Sequence, residues 1–143
     1  VKKKKNKKKK TNKKNKGTAQ KINALKANIQ SETPQRLALP TQDTIEIVNT
    51  GDIIHFQADG PYTKIHIAGS NPIIISKMIK EYEDILSSDQ FFRCHKSHLI
   101  NFKHVKKVLK NQNAVEMIDN SIAYISRRKK NEFFEAMQQF LAQ

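Results

Sequence analysis

Cys94, His95 and His98 lie within five residues of one another, and a thiol beside imidazoles is material for a metal site or an activated nucleophile. In an extended strand, neighbours 94 and 95 point to opposite faces, so they are not expected to share one ion. No fourth ligand for zinc is evident. A small cysteine next to Phe91 and Phe92 suits a core more readily than a reaction. The carboxylates Glu81, Glu83 and Asp84 fall on a stretch of helical periodicity, where exposed acids are ordinary, and Asp52 and Asp59 sit in turn sequences. Gly17, Gly51, Gly60 and Gly69 match neither dinucleotide-binding nor P-loop spacing. An enzyme is therefore not expected, and neither a metal nor a cofactor.

The cations form a pattern with more content. From Arg93 to Lys110 there are six basic residues (Arg93, Lys96, Lys103, Lys106, Lys107 and Lys110), three histidines and no acid. Arg127, Arg128, Lys129 and Lys130 follow one another directly, while Glu81, Glu83, Asp84 and Asp89 gather elsewhere. Such segregation suits a polyanion on one face, because phosphate contacts supply most nonspecific affinity. Residues 1–16 hold eleven lysines and no acid, which accounts for eleven of the fourteen net positive charges and leaves +3 for residues 17–143. A run of this kind repels itself and buries too little surface to order, so the pI near 9.9 is mainly a property of the tail.

These groups must be positioned by elements that the residue periods outline. Thr18 to Ser31 carries Ile22, Leu25 and Ile29 at helical spacing, and Glu32-Thr33-Pro34 is expected to stop that short helix. Residues 1–35 are thus expected to be a basic tail and linker helix, and 36–143 the folded domain. From Arg36 the period shortens to that of strands: 36–40, 44–48, 53–58, 62–67 and 72–75, divided by turn sequences at Asn49-Thr50-Gly51, Asp59-Gly60-Pro61 and Gly69-Ser70-Asn71-Pro72. In 62–67 the alternation sends Ile65 and Ile67 to one face and Lys64 and His66 to the other. Ser76 to Leu86 turns helical, with Met78, Ile79, Tyr82, Ile85 and Leu86 on one stripe. Strands are expected again at 91–94, 105–109, 114–118 and 121–125. Ser126 then suits the cap of a final helix bearing Phe133, Phe134, Met137, Phe140 and Leu141. The fold class is mainly β, with one embedded helix and one C-terminal helix.

With that pattern laid out, Phe91-Phe92-Arg93-Cys94-His95-Lys96-Ser97-His98-Leu99-Ile100-Asn101 resembles the signature of the LytTR DNA-binding domain of bacterial response regulators. Asp52 to Thr63 resembles that family's strand and turn, Ser76 to Leu86 its embedded helix, and Ile125 to Lys130 its second polar hallmark, so the resemblance runs from about Arg36 to Leu141. It implies an elongated, antiparallel β arrangement that contacts DNA through loops and strand ends instead of a recognition helix. It also implies three contacting regions: Tyr62, Thr63 and Lys64; His95, Lys96 and Ser97; and Arg127, Arg128 and Lys129. The chemistry agrees. Arginine offers a planar fork to guanine and lysine a less rigid donor, while Ser97 and backbone amides suit phosphates. Lys96 and Arg128 are expected to read bases, with His95, Ser97, Arg127 and Lys129 divided between bases and phosphates. His95 equally suits a structural hydrogen bond, and Arg93 and Asn101 suit orienting the loop.

The expected partner is double-stranded promoter DNA with direct repeats, bound by two copies. In this family a receiver domain and a sensor kinase act upstream; the chain begins with valine, and the lysine run would then be an interdomain linker. The alternative is a basic RNA-binding or ribosome-associated protein. No stretch approaches the ~20 apolar residues of a membrane span, and the lone cysteine is compatible with a reducing cytoplasm, the expected location.

Overall fold

The computed structural model describes residues 33–143; the lysine run and the expected helix at 18–31 lie outside the described residues. Ten strands are present among the described residues: β1 (Arg36–Pro40), β2 (Ile45–Asn49), β3 (Ile53–Asp59), β4 (Tyr62–Ile67), β5 (Ile73–Ile75), β6 (Phe91–His95), β7 (His98–Asn101), β8 (Val105–Leu109), β9 (Ala114–Met117) and β10 (Ile122–Tyr124). Two α-helices accompany them, α1 (Ile79–Glu83) and α2 (Lys130–Leu141). The expected mainly β class with an embedded and a C-terminal helix is what is observed.

The centre is a five-stranded antiparallel sheet in the order β5-β4-β3-β7-β6. Both of its faces are covered. On one side Leu37 and Leu39 of β1, Ile79 and Tyr82 of α1, and Leu86 pack with Phe56, Ile65, Ile75, Phe91 and Leu99. On the other, Val115 and Met117 of β9, Ala123 of β10, Ile125 and Phe133 of α2 pack with Ile54, Phe92, Cys94, Ile100 and Phe102. Each fully buried side chain of this size contributes about 1.5–3 kcal/mol, so the two clusters hold the covering layers against the sheet. β8, β9 and β10 form a separate three-stranded sheet, and among the described residues β1 pairs with β2 alone.

Three departures from the sequence expectation have physical causes. The segment 98–101 was not expected as a strand, because β7 lies between β3 and β6, all four of its residues are buried, and no alternation is left to read. The embedded helix covers Ile79–Glu83 and not the whole of 76–86. It begins no earlier because Met78 is extended (φ −85, ψ 151); the Lys77 carbonyl before it accepts the Thr63 hydroxyl at 2.6 Å, and Met78, expected on the buried stripe, is 72% exposed. Ser126 makes no side-chain cap; a 3-10 turn, Arg127–Lys129, intervenes before α2. Gly60, at φ 62 between β3 and β4, occupies the left-handed region that the tight turn requires.

Candidate nucleic-acid interface

The turn between β6 and β7 carries His95, Lys96 and Ser97, and its shape is fixed by hydrogen bonds on every side. Arg93 Nε donates to the His95 carbonyl at 3.1 Å and Arg93 Nη2 to the Lys96 carbonyl at 2.6 Å. The Ser97 amide donates to His95 Nδ1 at 3.0 Å, and the Ser97 carbonyl accepts from the Ala58 amide at 2.9 Å. With its carbonyls drawn inward, the turn leaves Lys96 exposed. The Ala58 bond also joins this turn to the end of β3, one residue before the β3–β4 turn.

The second basic segment arrives by a backbone contact. The Ser126 amide donates to the Cys94 carbonyl at 2.8 Å and the Ile125 amide to the Asn113 carbonyl at 2.7 Å, so the 3-10 turn Arg127–Lys129 starts beside the end of β6. Arg127 and Arg128 are exposed there. Lys129 is partly covered and lies over the Phe92 ring at 5.8 Å, a cation–π contact that ties it to the core. Lys64 stands in one cross-strand row with Gln57, His98 and His95. The structure thus brings His95, Lys96, Ser97, Arg127, Arg128 and Lys129 to one edge of the sheet, with Lys64 in register behind the turn.

Thr63 does not belong among the exposed candidates. It is 2% exposed, and its hydroxyl donates to the Lys77 carbonyl. The alternation that turns Lys64 to the far face sends Thr63 inward, so this position anchors α1 to β4 and cannot present its side chain to a ligand.

Behind the turn lies a feature that the sequence did not disclose. β-bulges between Ile53 and His55 and between Arg93 and His95 interrupt the alternation. His55 faces the same side as its cross-strand partner His66, and the bulge in β6 turns His95 to the same side as His98. His66, His55, His98 and His95 form a ladder across four adjacent strands, with ring centroids separated by 4.9, 5.1 and 5.5 Å in turn. The bulge also removes the alternation argument that separated Cys94 from His95. Among the described residues, no three His, Cys, Asp or Glu side chains are grouped to hold a metal ion. Cys94 is fully buried with its thiol facing the His98 carbonyl at 3.9 Å, and burial pushes the thiol up to about 12.

Hydrogen bonds fix how the ladder is protonated. Asp119 accepts the Ser121 hydroxyl at 2.6 Å, which leaves that oxygen to accept from His55 Nδ1 at 3.3 Å. His55 Nε2 is then an acceptor for His98 Nδ1–H at 2.9 Å. An accepting Nε2 requires a neutral ring at His55, and the surroundings disfavour the charged form there and at its neighbours. Burial, with His98 and His66 adjacent, lowers His55 to about 3, and burial beside His95 and His66 lowers His98 to about 4. His66 is lowered by burial against the pull of Asp119, 3.3 Å away.

The chain is similar to known proteins in sequence and in fold. A family model described as the LytTr DNA-binding domain matches residues 43–138, which leaves β1 outside the match. The CO-responsive transcriptional regulator RcoM of Rhodospirillum rubrum is 31% identical over 78 residues, 54% of this chain and 33% of that protein, so the chain spans about a third of that relative's length. A solved LytTr DNA-binding domain from Bacillus cereus, of a protein described as a methyl-accepting/DNA response regulator, has the same fold. The TM-score is 0.63 over 73% of this chain and 97% of that one, at 20% identity.

Proposed function

The chain belongs to the LytTr DNA-binding domain family, and on that premise we propose that residues 36–143 are the output domain of a two-component response-regulator transcription factor. The domain reads repeated promoter half-sites through loops and strand ends. The observation that carries this reading is the meeting of the His95–Ser97 turn and the Arg127–Lys129 turn at one edge, tied by the Ser126–Cys94 backbone bond. Two basic turns held rigidly side by side can enter a groove as a unit, which a scatter of surface lysines cannot.

In this reading Lys96 and Arg128 reach base edges, where donors to guanine O6 and N7 carry most of the discrimination. His95, Ser97, Arg127, Lys129 and Lys64 divide the remaining base and phosphate contacts, and Thr63 only positions the strand. Two copies bind direct-repeat half-sites facing the same side of the duplex, about one helical turn (~10 bp) or a multiple apart. A receiver domain and its sensor kinase supply the signal, and the protein acts in the cytoplasm without a catalytic step of its own. No helix among the described residues is long and apolar enough to cross a membrane.

The test is selection from a random duplex pool with the full chain, repeated with residues 1–16 deleted and with Lys96→Ala and Arg128→Ala. The deletion is expected to weaken binding uniformly and to flatten the salt dependence. The two substitutions are expected to relax selectivity by roughly 1–3 kcal/mol at the bases they read. If deletion abolishes all duplex binding and the chain selects no sequence, the regulator reading fails. Preference for single-stranded RNA in the same assay would support the basic RNA-binding alternative instead.

A further inference from the structure

Arg93 lies in the middle of β6 and its guanidinium has three partners. Two are the His95 and Lys96 carbonyls of the β6–β7 turn. The third is Glu83 Oε1, which accepts from Nη1 at 2.7 Å. The ion pair is mostly shielded, with Arg93 20% and Glu83 35% exposed. Glu83 is the last residue of α1, a helix anchored in the first core cluster by Ile79 and Tyr82. Its carboxylate is therefore held by packing on one side and holds the guanidinium on the other. The acids on either side of it have local partners: Glu81 pairs with Lys77, and Asp84, just past the helix, with Lys80.

We propose that Glu83 is a specificity-determining positioning residue, which fixes Arg93 and through it the conformation in which the turn presents Lys96. The proposal rests on the reading of that turn as a DNA-reading edge. A guanidinium gripping two carbonyls of one turn has little freedom to choose between them and a nearby phosphate, provided its third arm is fixed. Without Glu83, Arg93 carries an uncompensated charge beside Lys96 on a surface built for a polyanion. It is then drawn outward to phosphate, and the turn loses the donors that shape it. Lys96 still meets phosphates in any orientation, but a base-edge contact demands one orientation. The effect is therefore asymmetric. Affinity for the selected site falls, while affinity for scrambled duplex holds or rises, since a negative charge has been removed from the binding side. General damage to the fold lowers both.

The experiment uses the full 143-residue chain, a duplex selected by the wild type from a random pool, and a scrambled duplex of equal length. Glu83→Ala is expected to lower the ratio of selected to scrambled affinity by about tenfold, with the salt slope on scrambled DNA not reduced, because Glu83 contacts no phosphate. Glu83→Gln, nearly isosteric and still able to accept from Nη1, is expected to fall between wild type and Glu83→Ala, which guards against a simple failure to fold. Arg93→Lys keeps the charge but lacks the planar fork that spans both carbonyls and Glu83, so it lowers the same ratio. The double variant Glu83→Ala/Arg93→Lys lowers it no further than Arg93→Lys alone. The proposal is overturned if folded Glu83→Ala keeps a ratio within about twofold of wild type, or if the two substitutions multiply. Failure of the wild type to select any sequence sinks the regulator reading itself; selection that Glu83→Ala leaves intact sinks only this inference.

Discussion

Asn101 is a polar side chain with no exposure at all, and it survives there because its polar atoms are matched. Its amide nitrogen donates to the Ile53 carbonyl at 2.8 Å; its oxygen accepts from the Lys103 amide at 2.9 Å and from Gln90 Nε2 at 3.2 Å. The residue thus welds the end of β7 to β3 and shapes the 3-10 turn that follows. Asn101→Ala takes the side-chain donor from the buried Ile53 carbonyl and is expected to cost about 1–3 kcal/mol in a urea melt, with no change in which sequence is selected. Cys94 makes the complementary case. Its thiol, fully buried and pushed up to about 12, stays a thiol at neutral pH and is inaccessible. Native protein is expected to resist iodoacetamide for as long as it stays folded, with labelling following the unfolding curve in denaturant. Rapid labelling in native buffer would contradict that packing.

At the scale of elements, α2 depends on one face. Phe133 is fully buried against Phe92 and Phe102, with ring centroids 5.9 and 5.8 Å away, while Phe134, Met137 and Phe140 pack partly on the same cluster. Phe133→Ala is expected to destabilise the domain by about 3–5 kcal/mol and to loosen the Arg127–Lys129 turn that leads into the helix. Chemical denaturation measures the first effect, and amide exchange at 127–130 the second. This helix was legible from its spacing of aromatics, as were β1, β4 and β8, because each has one buried and one open face or clean turn punctuation. β7 was not, since burial on both sides erases alternation. Neither were the two bulges, which follow from how β3 and β6 must pair with their neighbours and leave no local signal. The same holds at the site. His95, Lys96 and the Arg127–Lys129 run were legible through their charge and their likeness to a family signature. The link from Glu83 to Arg93 and the histidine ladder depend on partners 10 to 43 residues away, whereas the inward turn of Thr63 follows the same alternation that buries Ile65 and Ile67.

Across the whole domain, the ladder connects parts that the chain keeps far apart. Asp119 and Ser121, in the β9–β10 turn, hold His66 and His55; His55 holds His98, and His98 lies against His95 at the proposed reading edge. The three-stranded sheet is therefore attached to the central sheet by neutral imidazoles as well as by apolar packing, and acid acts on that attachment. In the unfolded chain these histidines take up protons near pH 6.5. In the folded chain His98 resists until about 4 and His55 until about 3, chiefly because burial penalises the charged ring. Between those values the unfolded state binds more protons, so stability is complete above pH 6.5 and declines as pH falls toward 4 and then 3. Asp119 adds to the decline at the acid end. Burial works against its charge, but the Ser121 hydroxyl and amide hold its carboxyl below the usual range, and that contribution disappears as it is protonated. Urea midpoints measured from pH 8 to pH 4 are expected to be flat down to about 6.5 and to fall steeply below it. His55→Gln or His98→Gln, which removes one titrating ring, is expected to lower the plateau and flatten the slope. A midpoint that is independent of pH from 6.5 to 4, or a slope unchanged in both variants, would show that the imidazoles are not what ties the two sheets together.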